Sequence, residues 1–252
     1  MPGTLPLRTY DLVIADIDGC LVGEAGEPFD LPALAQVREH NRLAIERGDR
    51  PIVTLCTGRP QPFAEAVSRL IGNTLIPCVC EMGVWLFDPA ANRSTLDPAI
   101  TPDHLAAVAG LSQWAQTQFG PGGVVQQPGK AASVSLWHPD TAYLRSLAPL
   151  IEQQCARQRW PFRVSMTWFY INCDLAHISK ASGIARLLQR TNTPRQRLAG
   201  IGDTDSDRAI AQSVGFFACP SNAQPAIKEL AHFIAKAPEA HGVVEILRHI
   251  SH

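Results

Sequence analysis

Leu12-Val13-Ile14-Ala15-Asp16-Ile17-Asp18-Gly19 runs four apolar residues straight into two carboxylates and a glycine. A short apolar run of this kind reads as a buried strand, which places the carboxylates at its carboxyl end. Helical spacing follows at Leu34, Val37, Ala44 and Ile45, with Gly48 as the stop. Residues 51–55 form a second apolar run, residues 60–72 read as a helix closed by Gly72, and residues 75–87 hold two more short strands. Near the other end, residues 198–202 and 214–218 are apolar strands around a helix-like stretch at 205–213. Strand and helix alternate at both ends of the chain, so the fold class is α/β. The expected core is Rossmann-like, a mostly parallel sheet with helices on both faces.

The middle has a different rhythm. Residues 88–100 read as loop and 102–118 as helix. Two β segments, 123–127 and 131–138, are joined by the turn Pro128-Gly129-Lys130. A helix at 140–158 and two strands, 162–168 and 169–173, complete an αββαββ pattern. This predicts a small α+β domain at 88–177 inserted into a core made of 1–87 and 178–252.

The chain has 252 residues and a formal net charge of −1, with 46% apolar residues. That balance argues against nucleic-acid binding through a basic surface and against electrostatic membrane attachment. Disorder is equally disfavoured. The longest apolar stretch, 75–87, is broken by Pro77 and Glu81 and is too short for a bilayer. The N-terminal MPGTLPLRTYD has no apolar signal region. Seven scattered cysteines form neither a disulfide framework nor a zinc set, Cys78 and Cys80 being the only close pair. The eight histidines show no HExxH spacing. Free thiols point to a cytoplasmic protein.

Four segments sit at or just after expected strand ends: Asp16-Ile17-Asp18-Gly19, Thr57-Gly58-Arg59, Lys180, and Gly202-Asp203-Thr204-Asp205-Ser206-Asp207. In open α/β sheets the carboxyl ends of the strands form the ligand crevice, so these segments are expected to converge. Carboxylates, a hydroxyl and a lysine brought together suit a hard cation, Mg²⁺, beside a phosphate. A carboxylate at Asp16 can attack phosphorus, splitting hydrolysis into formation and breakdown of an aspartyl-phosphate. Asp18 can protonate the leaving oxygen and later deprotonate water. Thr57 and nearby backbone N–H groups can hold phosphate oxygens while Lys180 offsets the charge. Asp203 and Asp207 can complete or orient the metal site. Taken singly, each segment reads as something plainer: a capped turn, a strand-end turn, a solvated lysine, an N-capped helix. Their order and number favour the chemistry.

The set DIDGCL, TLCTGRP, SKASG and GDTDSD, in this order, resembles the haloacid dehalogenase superfamily of phosphohydrolases, and Ser221-Asn222-Ala223 adds to the likeness. The inserted unit is similar to the smaller form of that family's C2-type cap. The resemblance implies Asp16 as nucleophile and Asp18 as acid/base. It implies a phosphate site at Thr57, with Gly58 beside it, and Lys180. Magnesium would sit on Asp16, the Asp18 backbone carbonyl and Asp203, with Asp207 in support. Cys20, Met82 and Ser206 depart from residues common in the family (Thr, Asn and Asn), and none removes a catalytic group.

Strand alternation in the inserted unit gathers Trp137, Arg163, Tyr170 and Asn172 on one polar face, the expected substrate-binding surface. The sequence therefore predicts a Mg²⁺-dependent hydrolase of a small phosphate ester, a sugar phosphate first. A phosphomutase is the nearest alternative. A phospho-receiver module is opposed by length and by Lys180 preceding Asp203.

Overall fold

The computed structural model describes residues 8–23, 26–167 and 169–251. The opening heptapeptide MPGTLPL and Trp168, the last residue of the strand expected at 162–168, lie outside the described residues. Two units emerge, Met1–Thr95 with Lys180–His252, and Leu96–Ser179.

The first unit begins with β1 (Leu12–Ala15), α1 (Leu31–Arg47), β2 (Ile52–Leu55) and α2 (Gln61–Leu70). Asp30 caps α1 by accepting from Ala33 N at 2.9 Å, and Gly48 ends it at φ 66°. A hairpin-like set follows, β3 (Cys78–Cys80), β4 (Trp85–Asp88) and β5 (Arg93–Leu96), forming a separate three-stranded sheet. Beyond the second unit come α5 (Lys180–Thr191), β10 (Leu198–Ile201), α6 (Arg208–Ser213), β11 (Phe216–Cys219), α7 (Pro225–Lys228), β12 (Phe233–Ile234) and α8 (Glu239–Ile250). The five-stranded sheet runs β12-β11-β10-β1-β2, and every neighbouring pair is parallel.

Period-two alternation sends Val13 and Ala15 to one side and Leu12 and Ile14 to the other. The first pair joins a core with Leu34, Val37 and Val243; the second joins Ile184, Leu187 and Ile210. Both faces are therefore covered, and each fully buried Leu or Ile contributes about 1.5–3 kcal/mol. The chain leaves β1 toward β2 on one side and returns to β10 on the other. This reversal opens a crevice at the carboxyl end of β1.

The second unit contains α3 (Pro102–Phe119), β6 (Val125–Gln126), β7 (Ser133–Trp137), α4 (Thr141–Gln158), β8 (Phe162–Met166) and β9 (Tyr170–Leu175). Its sheet is antiparallel in the order β6-β7-β9-β8, and its helices carry apolar faces buried at Leu111, Ala115, Leu144, Leu147 and Ile151.

Several local expectations shift. Residues 93–96 are strand β5 rather than loop; Arg-Ser-Thr-Leu has no apolar alternation, and pairing with β4 alone makes it extended. The strand expected at 123–127 shrinks to Val125–Gln126, because Gly123 turns at φ 87°. The strand expected at 169–173 runs on to Leu175, held by pairing on both sides. The strand expected at 214–218 begins at Phe216, since the Gly215 N–H donates to Leu198 O in the turn before it.

Candidate active site

β1 and β2 pair in register with Ala15 opposite Leu55, and β1 and β10 with Ala15 opposite Ile201. Asp16, Thr57 and Asp203 therefore follow neighbouring strand ends. Immediately after β1 the chain turns back on itself: the N–H groups of Leu21 and Val22 both donate to Ile17 O. Gly19 adopts φ 70°, and a Cβ there would lie 2.1 Å from Asp203 Oδ2. Only a residue without a side chain lets the two acidic loops approach this closely.

Lys180 opens α5, which packs on β3 through Gly183, where a Cβ would lie 2.4 Å from Val79 Cγ1. This approach brings Lys180, 2% exposed, into the acidic cluster. Its Nζ donates to Asp207 Oδ1 at 2.6 Å and lies 3.0 Å from Asp16 Oδ1. The second contact is an ion pair off the line of a hydrogen bond, so Asp16 Oδ1 is buried without a hydrogen-bond partner. Asp207 Oδ2 accepts from the N–H groups of Asp203 and Thr204, both at 3.0 Å. Asp16, Asp203 and Asp207 each bring a carboxylate oxygen within 4.8 Å of the others.

Burial pushes the Asp16 carboxyl well above the usual range, and the Asp207 charge adds to this while Lys180 opposes it. For Lys180, burial alone would lower its pKa, but the Asp16 and Asp207 carboxylates hold it well above the ordinary ammonium value. Three buried carboxylates against one ammonium leave an excess of negative charge. With Asp16 Oδ1 lacking a hydrogen bond, that donor set fits a hard divalent cation.

Thr57 is fully buried, and its Oγ1 accepts from Arg59 N at 3.0 Å, which leaves the hydroxyl proton to donate. Cys20 Sγ lies 3.6 Å from Asp203 Oδ1. Burial, followed by the Asp203 charge, pushes this thiol well up, so it packs as a neutral group rather than a nucleophile. Met82 sits at φ 57°, a left-handed conformation that Asn tolerates far better. The departure from the family pattern therefore carries backbone strain beside Thr57, whose carbonyl accepts from Met82 N at 3.0 Å.

Two residues in the quoted motifs have structural roles that the sequence reading did not assign. Arg59 grips Asp18 from both sides, Nε donating at 3.0 and 2.8 Å to its two oxygens and Nη2 at 2.5 Å to Oδ1. Asn222 ties the first loop to the C-terminal helix, donating to Gly19 O at 2.9 Å and accepting from Glu239 N at 2.8 Å. The signal for each was its place inside a motif quoted for its neighbours.

In the second unit, Trp137 pairs opposite Tyr170 and Ser135 opposite Asn172, with Ser135 Oγ donating to Asn172 Oδ1 at 2.7 Å. Arg163 pairs opposite Asp174, with Nη2 at 3.9 Å from Oδ2. Directly opposed residues share a face, so Trp137, Arg163, Tyr170 and Asn172 lie together. That face is not uniformly wet: Ser133, Ser135 and Asp174 are buried.

The family model for haloacid dehalogenase-like hydrolases matches residues 130–247, a span that includes Lys180, Asp203 and Asp207. Over that span the chain is similar to the haloacid dehalogenase-like hydrolases. Among curated members, a phosphoglycolate phosphatase of Methanothrix thermoacetophila is 34% identical over 84 residues, 33% of this chain and 38% of that one. Phosphatase YwpJ of Bacillus subtilis is 28% identical over 72 residues, 29% of this chain and 25% of that one. These matches span less than two fifths of either relative. Solved structures show the same fold over almost the whole chain. A Thermoplasma acidophilum protein superposes with a TM-score of 0.75 at 16% identity, covering 96% of this chain and 99% of its own. The sucrose-phosphatase of Synechocystis, solved with sucrose and phosphate, gives 0.66 at 19% identity over 97% and 98%. Among the described residues, no helix is long and apolar enough to cross a membrane.

Proposed function

We propose that this chain hydrolyses a phosphomonoester of a small metabolite through a phosphoryl group carried on Asp16. The observation that supports this best is the buried meeting of Asp16, Asp203 and Asp207, beyond adjacent strands, with Lys180 at the start of α5. Asp16 attacks phosphorus, the bond to the ester oxygen breaks, and Asp18 delivers a proton to that oxygen. Water then attacks phosphorus, Asp18 takes its proton, and the bond to Asp16 breaks, releasing phosphate. Thr57, with Gly58 beside it, and Lys180 hold the phosphoryl oxygens and offset their charge. Asp207, occupied by Lys180 on one oxygen and by backbone N–H groups on the other, acts by fixing Lys180 and the Asp203 loop.

Asp16, Asp203 and the Asp18 carbonyl would hold Mg²⁺, with Asp207 in support. Bound there, the ion would supply neutralisation of phosphate charge. We take a sugar phosphate as the substrate class. The paired aromatics Trp137 and Tyr170, with Asn172 and Arg163 on the same face, form a surface suited to a polyol. Relatives named for phosphoglycolate and sucrose phosphates are in keeping with a small anionic metabolite. We place residues 88–177 in the role of cap and the protein in the cytoplasm. The test is a phosphate-release screen over a metabolite panel with Mg²⁺ and with excess chelator. Release that needs Mg²⁺ supports the reading; isomerised product without free phosphate would point to a mutase instead.

A further inference from the structure

A cleft between α1 and α8 lies within the first unit and shares no residue with the acidic cluster. Its volume is about 430 Å³, within the range of small-molecule sites. Leu43, Val244 and Leu247 give it an apolar lining, and Arg248 ties the two helices together by donating to Gln36 Oε1 at 2.7 Å. His40, also in the lining, is only 8% exposed. Its Nε2 lies 2.8 Å from Pro51 O, and a carbonyl can only accept, so the ring proton sits on Nε2. Burial holds the pKa of this imidazole down at about 4, which leaves Nδ1 an unprotonated acceptor at neutral pH. Among the described residues nothing donates to it. A buried acceptor left in this way costs free energy that a donor placed in the cleft would recover.

The charges of the lining decide the other end of the ligand. Arg42 clamps Glu39, donating to its two oxygens at 2.8 and 2.7 Å, and Arg50 is paired with Asp49 at 2.7 Å. Arg248 has a neutral amide for a partner and no carboxylate among the described residues. Gln36 occupies one donor of its Nη2, and the rest of the guanidinium fork suits a carboxylate. We propose that this cleft binds a small organic acid whose apolar body carries an N–H or O–H donor. The carboxylate meets Arg248, the donor meets His40 Nδ1, and the body lies against Leu43, Val244 and Leu247. The proposal stands apart from the phosphatase reading, because none of these groups takes part in that chemistry.

The test is isothermal titration calorimetry on the full chain. Indole-3-acetate and indole-3-butyrate hold an N–H and a carboxylate at two separations, and the N-methyl form and the amide of each remove the donor and the charge in turn. At least one of the two acids should bind with Kd below about 1 mM. Its N-methyl form and its amide should each bind about tenfold more weakly. R248M should bring acid and amide to within about twofold of each other while the cost of N-methylation remains. Ala35 is exposed on α1 and lines the cleft, so A35W fills the space and should abolish binding, with circular dichroism confirming the helices. Should either variant fail to fold, the wild-type comparison of each acid with its N-methyl form and amide decides alone. Failure of both acids to bind at millimolar concentration would overturn the site. So would equal affinity for an acid and its N-methyl form, or binding that survives A35W unchanged.

Discussion

Two buried carboxylates in this protein share a defect: Asp16 Oδ1 and Asp174 Oδ1 are both shut away from solvent without a hydrogen-bond partner. Their surroundings separate them. Asp16 has the Lys180 ammonium at 3.0 Å and two further carboxylates whose oxygens lie within 4.8 Å. Asp174, on the sheet of the second unit, has Arg163 at 3.9 Å across one strand pair. One defect lies in a cluster of charges from distant segments, and the other beside Arg163 in one ladder, with Lys130 acting on it as well. An unpartnered acid therefore signals chemistry only when distant segments of chain have gathered other charges around it. Asp16 follows β1, Lys180 opens α5 and Asp207 lies beyond β10, whereas Arg163 and Asp174 are neighbours in one antiparallel ladder.

The comparison breaks first at Asp16. Asp16→Asn should lower phosphate release by more than about a thousandfold with the fold intact, because the amide cannot attack phosphorus. Circular dichroism and steady-state assay on the same preparation measure both. Lys180→Met comes next, since it removes the ammonium that faces the buried Asp16 and Asp207 carboxylates. Leaving such charges uncompensated should cost about 3–5 kcal/mol in denaturant unfolding. Occupancy by Mg²⁺ should recover part of that loss.

The polar face of the second unit should respond more weakly and more selectively. Trp137→Ala, Asn172→Ala and Arg163→Ala should each reduce kcat/KM on the best metabolite by roughly tenfold while changing an aryl phosphate by less than about twofold. Equal effects on both esters, or none on either, would remove this face from substrate selection.

The smallest effect is expected at Asp174, and it has a sign. Burial raises its pKa, with Lys130 and Arg163 pulling it back only partly. A carboxyl raised in the folded state binds its proton more tightly there than in the unfolded chain. Its stabilising contribution is complete at acid pH and is lost as pH rises through the folded pKa. Asp174→Asn should therefore unfold a few degrees higher than wild type at neutral pH, with the gap closing on acidification below the ordinary aspartate range. A constant gap across pH would assign the effect to packing.

The strand-end quartet was readable in the sequence because each member combines a chemical type with a position: an acid, hydroxyl or lysine directly after an apolar run or opening a helix. The alternation of β7, β8 and β9 was readable for the same reason, since period two assigns faces without knowledge of neighbours. The grip of Arg59 on Asp18 was not, because it depends on a side-chain conformation and on contact across 41 positions. Strand β5 escaped notice because Arg93-Ser94-Thr95-Leu96 carries no pattern of its own and becomes extended only through a partner. The two-residue β12 was too short for any periodicity to register. Glu81 and Met82, both at positive φ, were hidden by side chains that give no hint of a left-handed backbone.

The central claim is that phosphorus is transferred to Asp16. Acid quench during turnover, followed by peptide mass spectrometry, measures this directly. The account predicts a phosphoryl adduct on the peptide carrying Asp16 in the wild type, and none in Asp16→Asn. A wild type that releases phosphate at full rate with no adduct there, or the same adduct in Asp16→Asn, would contradict it.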